Sequence, residues 1–129
     1  MAKKPDAIQN YPGLRVRIDD VLHMPELDAP PDKPYPFVYF ISIHNDSAVP
    51  VTLYGRKWVV KEGSSIAVFE GDGIVGQTPR IEPGRHFSYN SYHVVAETAD
   101  VSGAFFGIAA GARIYTLIPS FRLVVNSSI

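Results

Sequence analysis

From Gly13 onward, no window of ten residues repeats its apolar side chains at the 3.6-residue period of a helix. Short runs of β-branched and aromatic residues recur instead, cut about every ten residues by Gly, Pro, Asn or Asp. In LRVRI, Leu14, Val16 and Ile18 share one face of an extended chain and Arg15 and Arg17 the other, the period of a half-buried strand. PELDAPPDKPYP follows with five prolines between Pro25 and Pro36, each fixing its own φ and biasing its predecessor away from helix, so it must be an extended connection. PFVYFISIHN is almost continuously apolar, as a central strand or a sandwich-core strand would be. Further strand-like runs are VPVTLYGRKWVV, SSIAVF, RHFSY, YHVVAE, SGAFFGIAA, ARIYTLI and FRLVV, separated by the turns NDS, KEGSS, EPG, TAD, AAGA and a glycine-rich loop. AGARIYTLI is read as a strand, with Ile114, Thr116 and Ile118 alternating with Tyr115 and Leu117. The pattern predicts an all-β domain, an antiparallel two-sheet β-sandwich, with a closed barrel as the alternative.

Residues 1–12 are polar with two prolines and are expected to form a loose tail, leaving one domain over 13–129. A chain of 129 residues suffices for one core, and a formal charge of −1 argues against an extended nucleic-acid or anionic-membrane surface. Without cysteine, disulfides, thiolate metal sites and cysteine nucleophiles are excluded. MAKKPDAIQNYPG has no apolar run behind its lysines, and no stretch approaches the roughly 20 residues of a membrane span, so a cytoplasmic protein is expected. NDS at Asn45 and NSS at Asn126 match a glycosylation acceptor but carry no weight without a secretory signal.

The stretch GDGIVGQTP contains GxGxxG at Gly71, Gly73 and Gly76, the spacing that cradles a pyrophosphate when it joins a strand to a helix. Phosphate is held there by free amides at the helix N-terminus, yet Pro79 arrives three residues after Gly76 and RIEPG leads into another strand. A turn with positive φ at one or more glycines is therefore favoured. The alternative is a nest of backbone amides at Gly71, Gly73 and Gly76 that binds an anion, a phosphate-containing small molecule, with Arg56 and Arg80 supplying charge.

Arg56 and Trp58 lie two apart and share a face of a regular strand. They would form either an interaction platform or a core anchor with the arginine snorkelling over it, the second being favoured. EPG followed by Phe87 and Tyr89 reads as a sandwich corner, with Phe87 where a corner tyrosine would stand. His23, His44, His86 and His93 make no metal-ligand spacing, and the closest pair, His86 and His93, is split by an expected bend. Glu70 and Asp72 flank the glycine loop, but two carboxylates make a weak cation site. No spacing nominates a nucleophile with its base, so no catalytic residue, metal site or cofactor is assigned.

Together these segments resemble the ApaG family, bacterial proteins of about this length whose domain also occurs inside larger eukaryotic chains. The resemblance rests on FVYFISIHNDS with Asn45 and Ser47, on Arg56 and Trp58 in YGRKWVV, and on GDGIVGQTP. It continues through IEPGRHFSY with Pro83, Gly84, Phe87 and Tyr89, then Gly103, then IPSFRL. It covers nearly all of residues 14–124. Tyr92 departs from the family's usual glycine, and Ala99 and Val101 from its glycine and methionine. The resemblance implies a fibronectin type III-like β-sandwich and a non-enzymatic module. In bacteria the family is linked to cobalt tolerance and magnesium efflux, and in eukaryotic chains to protein interaction. Its gene often neighbours that of a dinucleoside-polyphosphate hydrolase.

The functional expectation is a binding or regulatory module acting through protein contacts, with nucleotide or small-anion binding at Gly71–Gly76 as the alternative. A weak metal-dependent phosphohydrolase is the third reading. A homodimer is expected because FISIH and SGAFFGI carry more apolar surface than one small core needs. Ile41, Ile43, Trp58, Phe87 and Leu123 are the expected core.

Overall fold

The computed structural model describes residues 7–126, which form nine strands and no helix. The strands are β1 (Gln9–Asn10), β2 (Leu14–His23), β3 (Tyr35–Asn45), β4 (Val51–Glu62), β5 (Ser65–Asp72), β6 (Arg80–Ile81), β7 (His86–Val95), β8 (Ala99–Ala109) and β9 (Ala112–Leu123). One sheet runs β1-β9-β8-β4-β5, with β6 pairing the start of β4, and the other runs β2-β3-β7. Both sheets are open, so the chain is a fibronectin type III-like sandwich and not a barrel. Every pairing is antiparallel except that of β1 with β9.

The core lies where alternation placed it. Leu14 and Val16 face inward from β2, Phe37, Tyr39, Ile41 and Ile43 from β3, and Ile114, Thr116 and Ile118 from β9, while Leu117 is 67% exposed. Each fully enclosed aliphatic side chain contributes roughly 1.5–3 kcal/mol by leaving water. FISIH and SGAFFGI lie on the interior strands β3 and β8, where Ile41, Ile43 and Phe105 are fully buried while Ile108 stays 45% exposed.

The strand pattern is corrected at four places. Residues 1–6 of the expected tail lie outside the described residues, but Gln9 and Asn10 pair with Ile114 and Tyr115, and the Tyr11 N–H bonds the Tyr115 carbonyl. Residues Gln9 and Asn10 of that tail are thus a short strand where β9 would otherwise expose an edge. RHFSY and YHVVAE fuse into β7, and ARIYTLI and FRLVV into β9, because Pro119 sits in a bulge, Pro119 and Ser120 opposing Ser102. The expected TAD turn moves upstream, since Ala99 and Asp100 already pair in β8. Ile41, Ile43, Trp58 and Leu123 are buried as expected, but Phe87 is only partly so. It faces the core from β7, an edge strand with no neighbour to cover its flank.

The junction between the sheets is polar. Asn45, at the end of β3, is fully buried, and both ends of its side chain are used. Its Nδ2 donates to the carbonyls of Val49 at 2.8 Å and Ile81 at 2.9 Å, and its Oδ1 accepts from the Ser47 N–H at 2.9 Å and hydroxyl at 2.6 Å. Its backbone bonds the turn Glu82–Arg85, where Pro83 precedes Gly84 at φ 77° and the Arg85 N–H reaches the Glu82 carbonyl, a type II turn. One amide therefore joins the β3–β4 turn, β6 and the β6–β7 turn. Asn45→Ala should cost about 3 kcal/mol or more in urea denaturation, since the Ile81 carbonyl and the Ser47 N–H lose the amide and the Val49 carbonyl keeps only the Ser47 hydroxyl. Asn45→Asp should be no better at neutral pH, because acceptor oxygens would face two carbonyls. A loss under about 1 kcal/mol for both would show that the junction does not depend on this side chain.

Candidate functional site

GDGIVGQTP contains no helix. Gly71 and Asp72 still belong to β5. Gly73 (φ 69°) then turns the chain so that Ile74 enters the core, fully buried. Ile74 and Gln77 exchange both backbone hydrogen bonds, 2.7 and 3.0 Å, around Val75 and Gly76 at φ 49° and 75°, a two-residue type I′ hairpin. A Cβ on Gly73 would lie 2.6 Å from the Gln77 carbonyl oxygen, whereas one on Gly76 would meet nothing within 4 Å. The motif's glycines thus serve a turn that plugs the core. The N–H groups of Gly73, Ile74 and Gln77 are donated to the carbonyls of Tyr54, Gln77 and Ile74.

Arg56 reaches this loop. Its Nη1 donates to the carbonyls of Asp72 at 2.8 Å and Gly73 at 3.0 Å, and its guanidinium lies on the α-carbon of Gly71, where a Cβ would sit 2.7 Å from the nitrogens. Arg56, Gly71 and Gly73 are therefore brought together, with carbonyls and not amides facing the charge. Arg80 is held at 2.9 Å by Glu82.

A bulge at Tyr54 resets the alternation of β4 and puts Arg56, Trp58 and Val60 on one face. These residues floor a cleft of about 660 Å³ on the flank of the sandwich, where the edges β5 and β7 are left apart. Trp58, 4% exposed, meets Tyr39, Phe105, Phe121 and His93 edge-on or at a steep angle, so it is the core anchor as well as the cleft floor. The upper wall comes from Ala67 and Phe69 of β5 and from Ser91, Tyr92 and His93 of β7. The proline-rich connection crosses one end with Asp28, Pro30 and Lys33. It is latched by Glu62, which accepts from Lys33 Nζ at 2.8 Å and from the Ala96 N–H at 2.9 Å. Burial pushes the Glu62 carboxyl up, but the Lys33 and Ala96 bonds outweigh it and hold its pKa below the ordinary value.

His93 is the unexpected member. Its ring stacks on Tyr39 at 5.1 Å and lies 5.8 Å from Phe69, and its Nε2 shares a 3.1 Å hydrogen bond with the Tyr39 hydroxyl. Burial among aromatic rings lowers its pKa to about 4, and burial raises that of Tyr39 to about 12, so both are neutral at physiological pH. The bend expected between His86 and His93 does not exist. Both are on β7, seven residues apart and on opposite faces, and His86 stacks instead on its cross-strand neighbour His44 at 5.0 Å. The Tyr89 hydroxyl is enclosed with no hydrogen-bond partner, so it does not replace the missing corner tyrosine. Tyr39, Phe69 and His93 could not be nominated from the sequence because they meet only across three strands. The nearest signal was SSIAVF, apolar on both faces.

Adding a Cβ should separate the glycines. Gly76→Ala should cost about 1 kcal/mol of left-handed strain, and Gly73→Ala at least twice that, because only it adds a clash. Equal losses in chemical denaturation would refute the difference. For His93, a depressed folded pKa means that the unfolded chain binds the proton first. Its contribution is intact above pH 6.5 and is lost as pH falls through 6.5 towards 4. Between pH 7 and pH 5 the unfolding free energy should drop by about 2 kcal/mol more in the wild type than in His93→Phe. The comparison matters because His44, lowered by burial and by Arg15, His86 and Arg17, acts in the same direction. Identical pH slopes would show that His93 is not the group responsible.

The ApaG domain model matches residues 25–107, spanning β3, β4, the glycine hairpin, β7 and most of β8. Protein ApaG of Enterobacter sp. (strain 638) is 31% identical, with 92% of this chain and 96% of that protein covered. Protein ApaG of Salmonella arizonae is 32% identical, with 93% and 98% covered. The crystal structure of a Bordetella pertussis protein described as ApaA superposes with a TM-score of 0.80 at 25% identity, covering 95% of this chain and 100% of the other. The residues that carry this fold, Asn45, Arg56, Trp58, the glycine hairpin and the Pro83–Gly84 turn, sit on one continuous match, and the chain belongs to the ApaG family.

Proposed function

We propose that this protein is a non-enzymatic binding module that acts through protein contacts, with the β5 edge and the adjoining cleft as its docking site. The observation that carries the reading is the character of β5. Its eight residues, SIAVFEGD, contain no Lys, Pro or bulge and carry charge only at the far end, in Glu70 and Asp72, while Ile66, Val68 and Phe69 are 62%, 52% and 51% exposed. Edge strands that must stay unpaired are ordinarily short, charged or bulged, because their free N–H and C=O groups template another strand. A protein segment that pairs with β5 would use those groups and close the cleft over Trp58. A second copy of the chain is the competing occupant, which makes a homodimer an outcome of the test.

The alternatives draw less support. Nucleotide binding would need the loop amides and the Arg56 guanidinium, which close the hairpin. A phosphohydrolase would need converging ligands, and among the described residues no group of three or more His, Asp or Glu could hold a metal ion. The family's link to cobalt and magnesium homeostasis, and a cytoplasmic setting, would then be exercised through the partner. No helix among the described residues is long and apolar enough to cross a membrane.

The double substitution Ile66→Lys with Val68→Lys should abolish a stoichiometric native complex, or a dimer seen by light scattering, while leaving the denaturation midpoint nearly unchanged. Titration with ATP, pyrophosphate and a dinucleoside polyphosphate, with and without magnesium, should give no binding tighter than about 100 μM. An association indifferent to the lysines would overturn the docking site. Low-micromolar nucleotide binding lost in Arg56→Ala or Arg80→Ala would replace the reading with the nucleotide one.

A further inference from the structure

We infer that the segment docking on β5 is an antiparallel strand of definable side-chain pattern, a basic residue followed by β-branched residues with one large aromatic opposite Ala67, supplied by a different protein. This rests on the docking reading above and adds the chemistry of the occupant.

The pattern follows from which way β5 side chains point. Phe69 and Ala67 pair across β4 with Trp58 and Val60 and face the cleft, while Glu70, Val68 and Ile66 pair with Lys57, Val59 and Lys61 and face outward. Partner residues directly opposite share those faces. The residue opposite Ala67 meets the smallest wall of the cleft and has room for a large aromatic ring over the Trp58–His93 floor. Opposite Phe69 a β-branched side chain forms an aromatic–aliphatic pair, and opposite Val68 and Ile66 β-branched residues extend the outer apolar stripe.

Charge over the aromatic floor of the cleft does not call for an ionic side chain, the exposed Asp28 standing at the end crossed by the proline-rich connection. Lys33 is paired with Glu62 at 2.8 Å, and Arg56 is committed to two loop carbonyls. His93 and Tyr39 are neutral and bonded to each other. Ionic demand lies instead on the outer face, at the end of β5. Glu70 is 66% exposed and, among the described residues, has Lys57 at 3.7 Å as its ion-pair partner, with Asp72 two residues on. A cation opposite Glu70 completes the register. This also separates a foreign strand from a second copy. In a twofold antiparallel β5–β5 pair centred on Val68, Glu70 would oppose Ile66 and Asp72 would oppose Ser64, and β5 has no basic residue to offer in any register, so neither carboxylate would gain a cation.

Antiparallel to β5, the pattern reads Lys-Val-Thr-Phe-Val from the position opposite Glu70 to that opposite Ile66. The probe is the capped peptide Gly-Lys-Val-Thr-Phe-Val-Lys, titrated against the full chain by calorimetry and by Trp58 fluorescence. Saturable binding below about 100 μM is expected, with at least a tenfold loss when alternate peptide nitrogens are methylated, since strand addition is held by main-chain hydrogen bonds. Ala67→Trp should abolish it by filling the cleft. Glu70→Lys should weaken it several-fold, and the peptide carrying Glu in place of its first Lys should recover the affinity against that variant. Thermal denaturation of each variant confirms that it is folded. No saturable binding at 1 mM, or binding that ignores methylation and the charge exchange, would overturn the inference. If the peptide fails while the β5 lysine pair still abolishes a native complex, the pattern falls and the docking edge stands. If the lysine pair is also without effect, both fall.

Discussion

The buried carboxamide of Asn45 is the interaction on which the two-sheet arrangement depends. Two sheets can slide on an apolar interface at little cost, because the hydrophobic effect has no direction. Hydrogen bonds to the Val49 and Ile81 carbonyls do have direction, and they join the end of β3 to the start of β4 and to β6. The backbone of the same residue holds the Pro83–Gly84 turn, which sets the entry of β7. Once these are fixed, β7 lies at a set distance from β5, and the width of the flank cleft is decided.

Arg56 and the glycine hairpin form the second constraint. The guanidinium is stabilised by carbonyls at the loop, and the loop is kept from fraying by the guanidinium. Gly71 is required for the approach of Arg56, Gly73 for the turn into Ile74. A motif whose spacing suggests phosphate binding is therefore explained by chain reversal, with the dipoles pointing the wrong way for an anion. Val75, a β-branched residue at positive φ and 54% exposed, carries strain at the tip of this hairpin. It shares the rim of an outer groove with Phe40, Asn90 and Tyr92, so the hairpin leans towards the β7 edge.

The aromatic floor and the uncovered edge are consequences of unequal sheets. Three strands cannot cover six, and β5 is the strand left over. Trp58 is sealed by Tyr39, Phe105, Phe121 and His93, and Phe69, on the neighbouring strand, is half in water. The cleft is thus an interrupted core whose outermost layer is missing.

Alternation alone identified Leu14, Val16, Ile114 and Ile118 as inward-facing, because side-chain direction along an extended chain is a local property, and Pro79 with the RIEPG run stood against a helix after Gly76. The same local logic misplaced the strand ends at Pro119 and between Tyr89 and Tyr92, where a bulge and continued pairing with β3 override turn propensity. It also overrated Phe87, since burial depends on whether a strand is central or at an edge, and strand order is set by partners far along the chain. Arg56 and Trp58 were visible as a pair on one strand. Their union with His93, 35 residues downstream of Trp58, and with Phe69 required tertiary structure, because a cleft is defined by the gap between two sheets and no single segment contains it.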